Sequence, residues 1–64
     1  MKINLDREAD ALYIRLTDAT IADSEEVATG IILDYDEKGE VVAVEILRVS
    51  ERFGEKLESL EIKA

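Results

Sequence analysis

The sequence predicts an α+β fold: an antiparallel β-meander of four to five strands with one C-terminal helix packed on one face. Several short segments alternate polar and apolar residues, as strands of a half-buried sheet do. Two of these segments flank a glycine-ended turn, and residues 50–64 instead space apolar side chains as a helix does. We expect residues 1–64 to form a single small domain.

The first two predicted strands are residues 2–6 and 11–16, in which polar and apolar residues alternate. The polar segment 7–10 between them has a common hairpin loop length, so the pair is predicted to be an antiparallel hairpin. Residues 17–29 are less regular. Within them, 20–22 and 26–28 are candidates for a short edge strand, interrupted by the polar triplet Asp23-Ser24-Glu25.

The strongest predicted element is a hairpin over residues 30–48. Its turn, Asp36-Glu37-Lys38-Gly39, ends in a glycine at a left-handed position, which is typical of a three-residue turn with a bulge. If Asp36 pairs with Glu40, both faces carry aliphatic residues. One face then takes Tyr35/Val41, Leu33/Ala43 and Ile31/Glu45, and the other takes Asp34/Val42, Ile32/Val44 and Gly30/Ile46.

A C-terminal helix is expected to cover one of these two faces. Ser50 is its predicted N-cap, and Gly54 could break its start. One helical stripe takes Val49, Phe53, Leu57 and Leu60. The second apolar face would need another cover, because a chain of 64 residues is short for one stable core. The sequence therefore predicts a homo-oligomer, a dimer or larger.

The charge is concentrated in one part of the chain. Segment 17–47 contains nine acidic residues and one basic residue, which accounts for the whole net charge of −8. This segment would repel a nucleic acid and attract a small basic protein. Acidic surface also simply favours solubility. The chain shows neither a secretory signal nor an apolar run of membrane-spanning length, so we expect a cytoplasmic protein without a membrane partner.

Metal binding has one candidate motif. The chain has no Cys and no His, so the usual zinc ligands are missing and no cofactor is expected. The stretch Asp34-x-Asp36-x-Lys38-Gly39-x5-Glu45 nearly matches a calcium loop, but a lysine occupies its fifth position. Its flanks also alternate like strands, and the predicted register puts Asp34 and Glu45 on opposite faces. We therefore interpret it as a hairpin, with no metal site.

Catalytic chemistry has weaker support. Asp6, Asp10 and Tyr13 are candidates for an acid/base site at a dimer interface, but the two carboxylates are more simply turn and capping residues. No Ser or Thr has a histidine as its base, and the glycines form no phosphate-binding loop. We expect that the protein is not an enzyme and predict no catalytic residues.

Three segments together resemble a known family. They are Glu8-Ala9-Asp10-Ala11-Leu12-Tyr13-Ile14, then Asp34-Tyr35-Asp36 with Gly39, then Glu45-Ile46. They resemble the domain of unknown function 2283, a family of small prokaryotic proteins, over about residues 1–50. The resemblance implies a compact β-rich domain and transfers no catalytic residues. It also implies a likeness to the small partners in toxin–antitoxin-like gene pairs, in which a neighbouring gene encodes a small basic protein.

Three functions remain open. The first is a non-enzymatic protein-interaction module that self-associates. The second is an antitoxin-like acidic partner that neutralises a small basic toxin. The third is a small enzyme with an acid/base site at a dimer interface.

Overall fold

The computed structural model describes residues 1–54. These residues form one antiparallel sheet and one short helix, which confirms the α+β prediction. The order of strands across the sheet is β1-β2-β5-β4-β3. The elements are β1 (Lys2–Asp6), β2 (Ala11–Arg15), β3 (Asp23–Ala28), β4 (Ile31–Tyr35), β5 (Val41–Leu47) and α1 (Val49–Phe53).

The third strand differs from its prediction. The segment Asp23-Ser24-Glu25, expected to interrupt an edge strand, is part of β3 and pairs with β4. Residues 20–22 lie before this strand. Acidic residues have low strand propensity, but pairing with a neighbouring strand overrides that preference at a solvated edge.

The chain builds the sheet from two pieces. The β1–β2 hairpin forms one piece, and β3, β4 and β5 form a three-stranded meander. Strand β5 then pairs with β2, so the last strand in sequence lies at the centre of the sheet. The connection through residues 16–22 passes the end of the sheet, where Arg15 holds it. The Arg15 Nη2 donates to the Ala19 carbonyl at 2.7 Å, and its Nε donates to the Thr17 carbonyl at 3.0 Å.

The turn between β4 and β5 has the predicted form. Gly39 has φ +81°, and its N–H donates to the Asp36 carbonyl at 3.1 Å. The Asp36 N–H donates to the Glu40 carbonyl at 2.9 Å, which is the predicted first pair. The Asp36 carboxylate accepts from the N–H groups of Lys38 and Glu40. The turn chemistry therefore sets where the hairpin starts.

The predicted pairing fails beyond this turn, because of a β-bulge. Tyr35 pairs with Val41 as expected, but Asp34 then pairs with Ala43, so Val42 is the extra residue. The remaining predicted pairs of the hairpin are therefore wrong, namely Leu33/Ala43, Ile31/Glu45, Asp34/Val42, Ile32/Val44 and Gly30/Ile46. Both faces still carry aliphatic residues, but most of them lie on one side. The actual pairs are Ile31/Ile46 and Leu33/Val44 on one face, with Ile32/Glu45 and Asp34/Ala43 on the other.

The core is small and centres on β5. Val42 and Ala43 are 1% and 0% exposed, and Ala11 and Leu12 of β2 are also buried. Val49, at the start of α1, is 1% exposed. Burial is therefore greatest at both ends of β5, at Val42 and Ala43 beside the end of β2, and at Ala11, Leu12 and Val49 where the helix begins.

The helix begins differently from its prediction. Its N-cap is Arg48 in a left-handed conformation, and Ser50 lies inside the first turn. Asp10, from the β1–β2 turn, takes the capping role: its carboxylate accepts from the N–H and the hydroxyl of Ser50 at 3.1 and 2.7 Å. The helix α1 ends before Gly54, the residue at which the sequence left a break open. The other predicted members of its apolar stripe, Leu57 and Leu60, lie outside the described residues.

Candidate interaction surface

One side of the sheet is an aliphatic face. The registers place two aliphatic side chains from each of four neighbouring strands on this side. Leu12 is buried, and the other seven are half-buried. The members are Ile3, Leu5, Leu12, Ile14, Val44, Ile46, Ile31 and Leu33.

Within residues 1–54, no helix or second sheet is stacked on the aliphatic face. The helix α1 lies instead at the end of the sheet that holds the β1–β2 and β3–β4 turns. The Val49 N–H donates to the Asp10 carbonyl at 3.1 Å, and Arg52 donates to the carbonyls of Leu47 and Thr29. Phe53 is 40% exposed. These contacts anchor the helix at the sheet end and leave the face half-exposed.

The two borders of the aliphatic face differ. On the β3 side, Asp23 pairs with Tyr35 and Glu25 pairs with Leu33, so carboxylates flank the aliphatic residues. On the β1 side, Ile3 and Leu5 carry the aliphatic surface to the free edge without a charge. The face is therefore acidic at one border and apolar at the other.

The opposite side of the sheet is a mixed face. Glu45 lies between Tyr13 and Ile32, and Ala43 lies between Arg15 and Asp34. Asp34 is 9% exposed, and its carboxylate accepts a hydrogen bond from the Ser24 hydroxyl at 2.6 Å. The Arg15 Nη1 donates to the Tyr13 hydroxyl at 3.4 Å. Asp34 and Arg15 thus have local hydrogen-bond partners on this side.

The edge strand β3 is the most acidic element. All six of its residues are exposed, and it carries three carboxylates, Asp23, Glu25 and Glu26, without a base. A register shift between Glu26 and Ala28 interrupts its pairing with β4. Its charge and irregularity are features that discourage two such edges from pairing.

The calcium-like motif is a hairpin in the structure. Asp34 and Glu45 lie on the same face, not on opposite faces as predicted, because the bulge shifts the register. Asp34 accepts from Ser24, however, and the Asp36 carboxylate is engaged by the N–H groups of its own turn. Among residues 1–54, no group of three or more metal-ligating side chains is placed to hold an ion.

The candidate acid/base residues have structural partners. The Asp6 carboxylate accepts from the N–H groups of Glu8 and Ala9, and Asp10 caps α1. Tyr13 points to the mixed face, where its hydroxyl meets Arg15. These contacts agree with the turn and capping interpretation. An open hollow lies elsewhere, between residues 19–20 and the β4–β5 turn, so it does not bring the three residues together.

Sequence reasoning missed the bulge at Val42, which determines the faces. A signal for it was available. A register shifted by one residue beyond the turn collects the aliphatic residues on one face and the carboxylates on the other, which is how antiparallel sheets usually segregate side chains.

In the part of the chain that the structure describes, no helix has the length and apolar character needed to cross a bilayer. No curated protein and no solved structure matches the chain. One family model matches residues 2–50, which is the sheet together with the start of α1. The chain therefore belongs to the family described as "Protein of unknown function (DUF2283)".

Proposed function

We propose that this protein is a non-enzymatic interaction module that self-associates through its aliphatic face. The observation that carries the proposal is the set of eight aliphatic side chains on four neighbouring strands, seven of them only half-buried. Because of the bulge, most of the apolar surface of the β4–β5 hairpin lies on one side of the sheet.

A second copy is the occupant that best fits this surface. The face is aliphatic, and two aliphatic sheet faces stack at a separation of about 10 Å in a sandwich. Full burial of a Val, Leu or Ile side chain is worth about 1.5–3 kcal/mol, and each half-buried member would gain part of that. A short chain with a small core benefits most from such a contact.

Sedimentation velocity of the full chain tests this proposal, with two matched variants. Leu33 and Ile32 are neighbours on β4 that face opposite sides of the sheet. We expect Leu33→Lys to shift the protein to a smaller species, because it places a charge within the contact. Ile32→Lys on the mixed face should leave the assembly unchanged while circular dichroism reports folding of both. A wild-type chain that stays monomeric at micromolar concentration would refute the proposal.

A basic protein is the second candidate partner, in the manner of an antitoxin-like acidic protein that neutralises a small basic toxin. The observation in its favour is β3, a fully exposed edge strand with three carboxylates and no base. It predicts salt-sensitive binding to a short basic protein encoded by a neighbouring gene.

Titration calorimetry measures the affinity of this protein for the basic protein, and a variant in the β1–β2 turn serves as the control. Glu25→Gln should weaken binding, whereas Glu8→Gln, which removes the same charge from the β1–β2 turn, should not. Equal effects of the turn and edge variants would show that only net charge matters. The acid/base enzyme alternative gains no support, because Asp6 and Asp10 have structural roles.

A further inference from the structure

Within residues 1–54 the sheet has two edges without a neighbouring strand, β1 and β3, and they differ in charge. A free edge presents unpaired N–H and C=O groups, to which another strand can bond. Two copies of β3 would bring carboxylates against carboxylates, since the strand has three acids and no base. Strand β1 instead has one base, Lys2, and one acid, Asp6, at its opposite ends.

The outward-facing backbone groups of β1 can be assigned from the pairing inside the sheet. Leu16 directly follows β2, and its N–H donates to the Val42 carbonyl of β5 at 2.7 Å. Because bonding directions alternate along a strand, the even-numbered residues of β2 also bond towards β5. Odd-numbered residues of β2 therefore bond towards β1, and their register partners there are the even-numbered residues. The backbone groups of Ile3 and Leu5 consequently point away from the sheet.

We propose that β1 pairs antiparallel with β1 of a second copy, about a twofold axis through Asn4. In this register Ile3 faces Leu5 of the partner subunit and exchanges backbone hydrogen bonds with it. Lys2 faces Asp6 of the partner subunit, and the two Asn4 side chains meet on the axis. All five residues of the strand then have a complementary partner.

The sequence of the strand selects this register. Shifting a strand by one residue would turn the aliphatic face of one copy towards the mixed face of the other. Shifting the axis to Ile3 or Leu5 keeps the faces but sets Lys2 or Asp6 opposite Asn4, without its opposite charge. Only the axis through Asn4 matches both charges and places aliphatic residues opposite one another.

This edge contact goes beyond the face-to-face contact proposed above and does not depend on it. Ile3 and Leu5 belong to the aliphatic face and lie at its uncharged border. Pairing the edges therefore joins two five-stranded sheets into one of ten strands, with the aliphatic faces continuous on one side. Stacking two such sheets through those faces would give an assembly of four copies with two kinds of interface.

Cysteine cross-linking tests the axis directly, since the natural chain has no Cys. The two Asn4 residues would form a non-hydrogen-bonded pair, with Cα atoms about 4.5 Å apart, which a disulfide can bridge. Lys2→Cys is the matched control on the same strand and face, because its two copies would lie about 13 Å apart along the pair. We expect Asn4→Cys to give a disulfide-linked dimer under mild oxidation and Lys2→Cys to give little. Equal cross-linking of both variants, or of neither, overturns the proposal.

Charge exchange tests the register. In a dimer of Lys2→Glu, two acidic residues face each other at both ends of the paired strands, and in a dimer of Asp6→Lys two basic residues do. A dimer with one copy of each variant again has opposite charges at both ends. We expect each variant alone to raise the dissociation constant of the edge contact about 30-fold, and an equimolar mixture to recover wild-type assembly at low salt. Because Asp6 also accepts hydrogen bonds from its turn, Asp6→Asn, which keeps an acceptor there, separates loss of the turn from loss of the charge.

The two interfaces can fail separately in these measurements. If the edge pairs and the face does not, Leu33→Lys leaves both the assembly and the Asn4→Cys cross-link intact. If the face pairs and the edge does not, Lys2→Glu leaves the assembly unchanged and the mixture gains nothing. That second result overturns the edge proposal, as would a wild-type chain that is monomeric at micromolar concentration.

Discussion

Asp10 joins the first hairpin to the helix, and substitutions there separate two contributions to stability. Its backbone has φ +53°, in the left-handed region, and its carboxylate accepts from the N–H and hydroxyl of Ser50. Loss of a capping acceptor costs about 1 kcal/mol. Placing alanine in a left-handed conformation costs roughly 1–2 kcal/mol. We therefore expect Asp10→Ala to lower the free energy of unfolding by about 2–3 kcal/mol, the sum of these two terms.

Two further variants divide this loss. Asp10→Gly removes the acceptor but tolerates the positive φ, so we expect a loss of about 1 kcal/mol. Asp10→Asn keeps an acceptor oxygen and tolerates the left-handed region, so its loss should be under about 1 kcal/mol. The expected order of destabilisation is alanine, then glycine, then asparagine.

Urea unfolding of the full chain, followed by circular dichroism at one fixed protein concentration, measures these differences. If glycine destabilises the chain as much as alanine does, the left-handed backbone makes no contribution. If Asp10→Asn lowers the free energy of unfolding as much as Asp10→Ala does, the contact with Ser50 depends on charge and not on the acceptor oxygen. Either result would refute the reasoning.

Three other predictions concern the sheet, and each is measured by the same unfolding assay. Val42→Ala should cost about 2 kcal/mol because Val42 is 1% exposed, whereas Val41→Ala beside it in the bulge, at 37% exposed, should cost well under half of that. Ser24→Ala should cost about 1–2 kcal/mol by removing the donor to the buried Asp34 carboxylate, and this loss should shrink when Asp34→Asn is already present. Gly39→Ala should cost about 1 kcal/mol because the turn needs its positive φ, and Gly39→Asn should cost less. Similar losses for Val41→Ala and Val42→Ala would contradict the bulged register.

Features encoded by neighbouring residues could be predicted from the sequence. Alternation gave the first two strands and the central hairpin, and Gly39 gave the turn that starts its pairing. The turn predicts only the first pair of the hairpin, and the bulge at Val42 is indicated only by the segregation of aliphatic and acidic residues that it produces. The bulge also depends on β2, because β5 has to satisfy the hydrogen bonds of two neighbours. The β4–β5 hairpin contains only one of these two sets of hydrogen bonds.

The same limit applies to the helix and to the candidate sites. Ser50 looked like an N-cap because the capping group that actually serves, Asp10, is 40 residues away in sequence. The acidic segment 23–25 looked like a loop because its partner on β4 was not considered with it. The interaction surface was expected from the excess of apolar residues, but its location required the register of four strands.

The central position of β5 has a consequence for how the molecule folds. Until residues 41–47 are in place, the β1–β2 hairpin and the β3–β4 hairpin have no strand between them. An isolated two-stranded hairpin is marginally stable at best in water. During synthesis the chain therefore has to wait for its fifth strand before most of its structure can persist, and folding is expected to occur in one cooperative step.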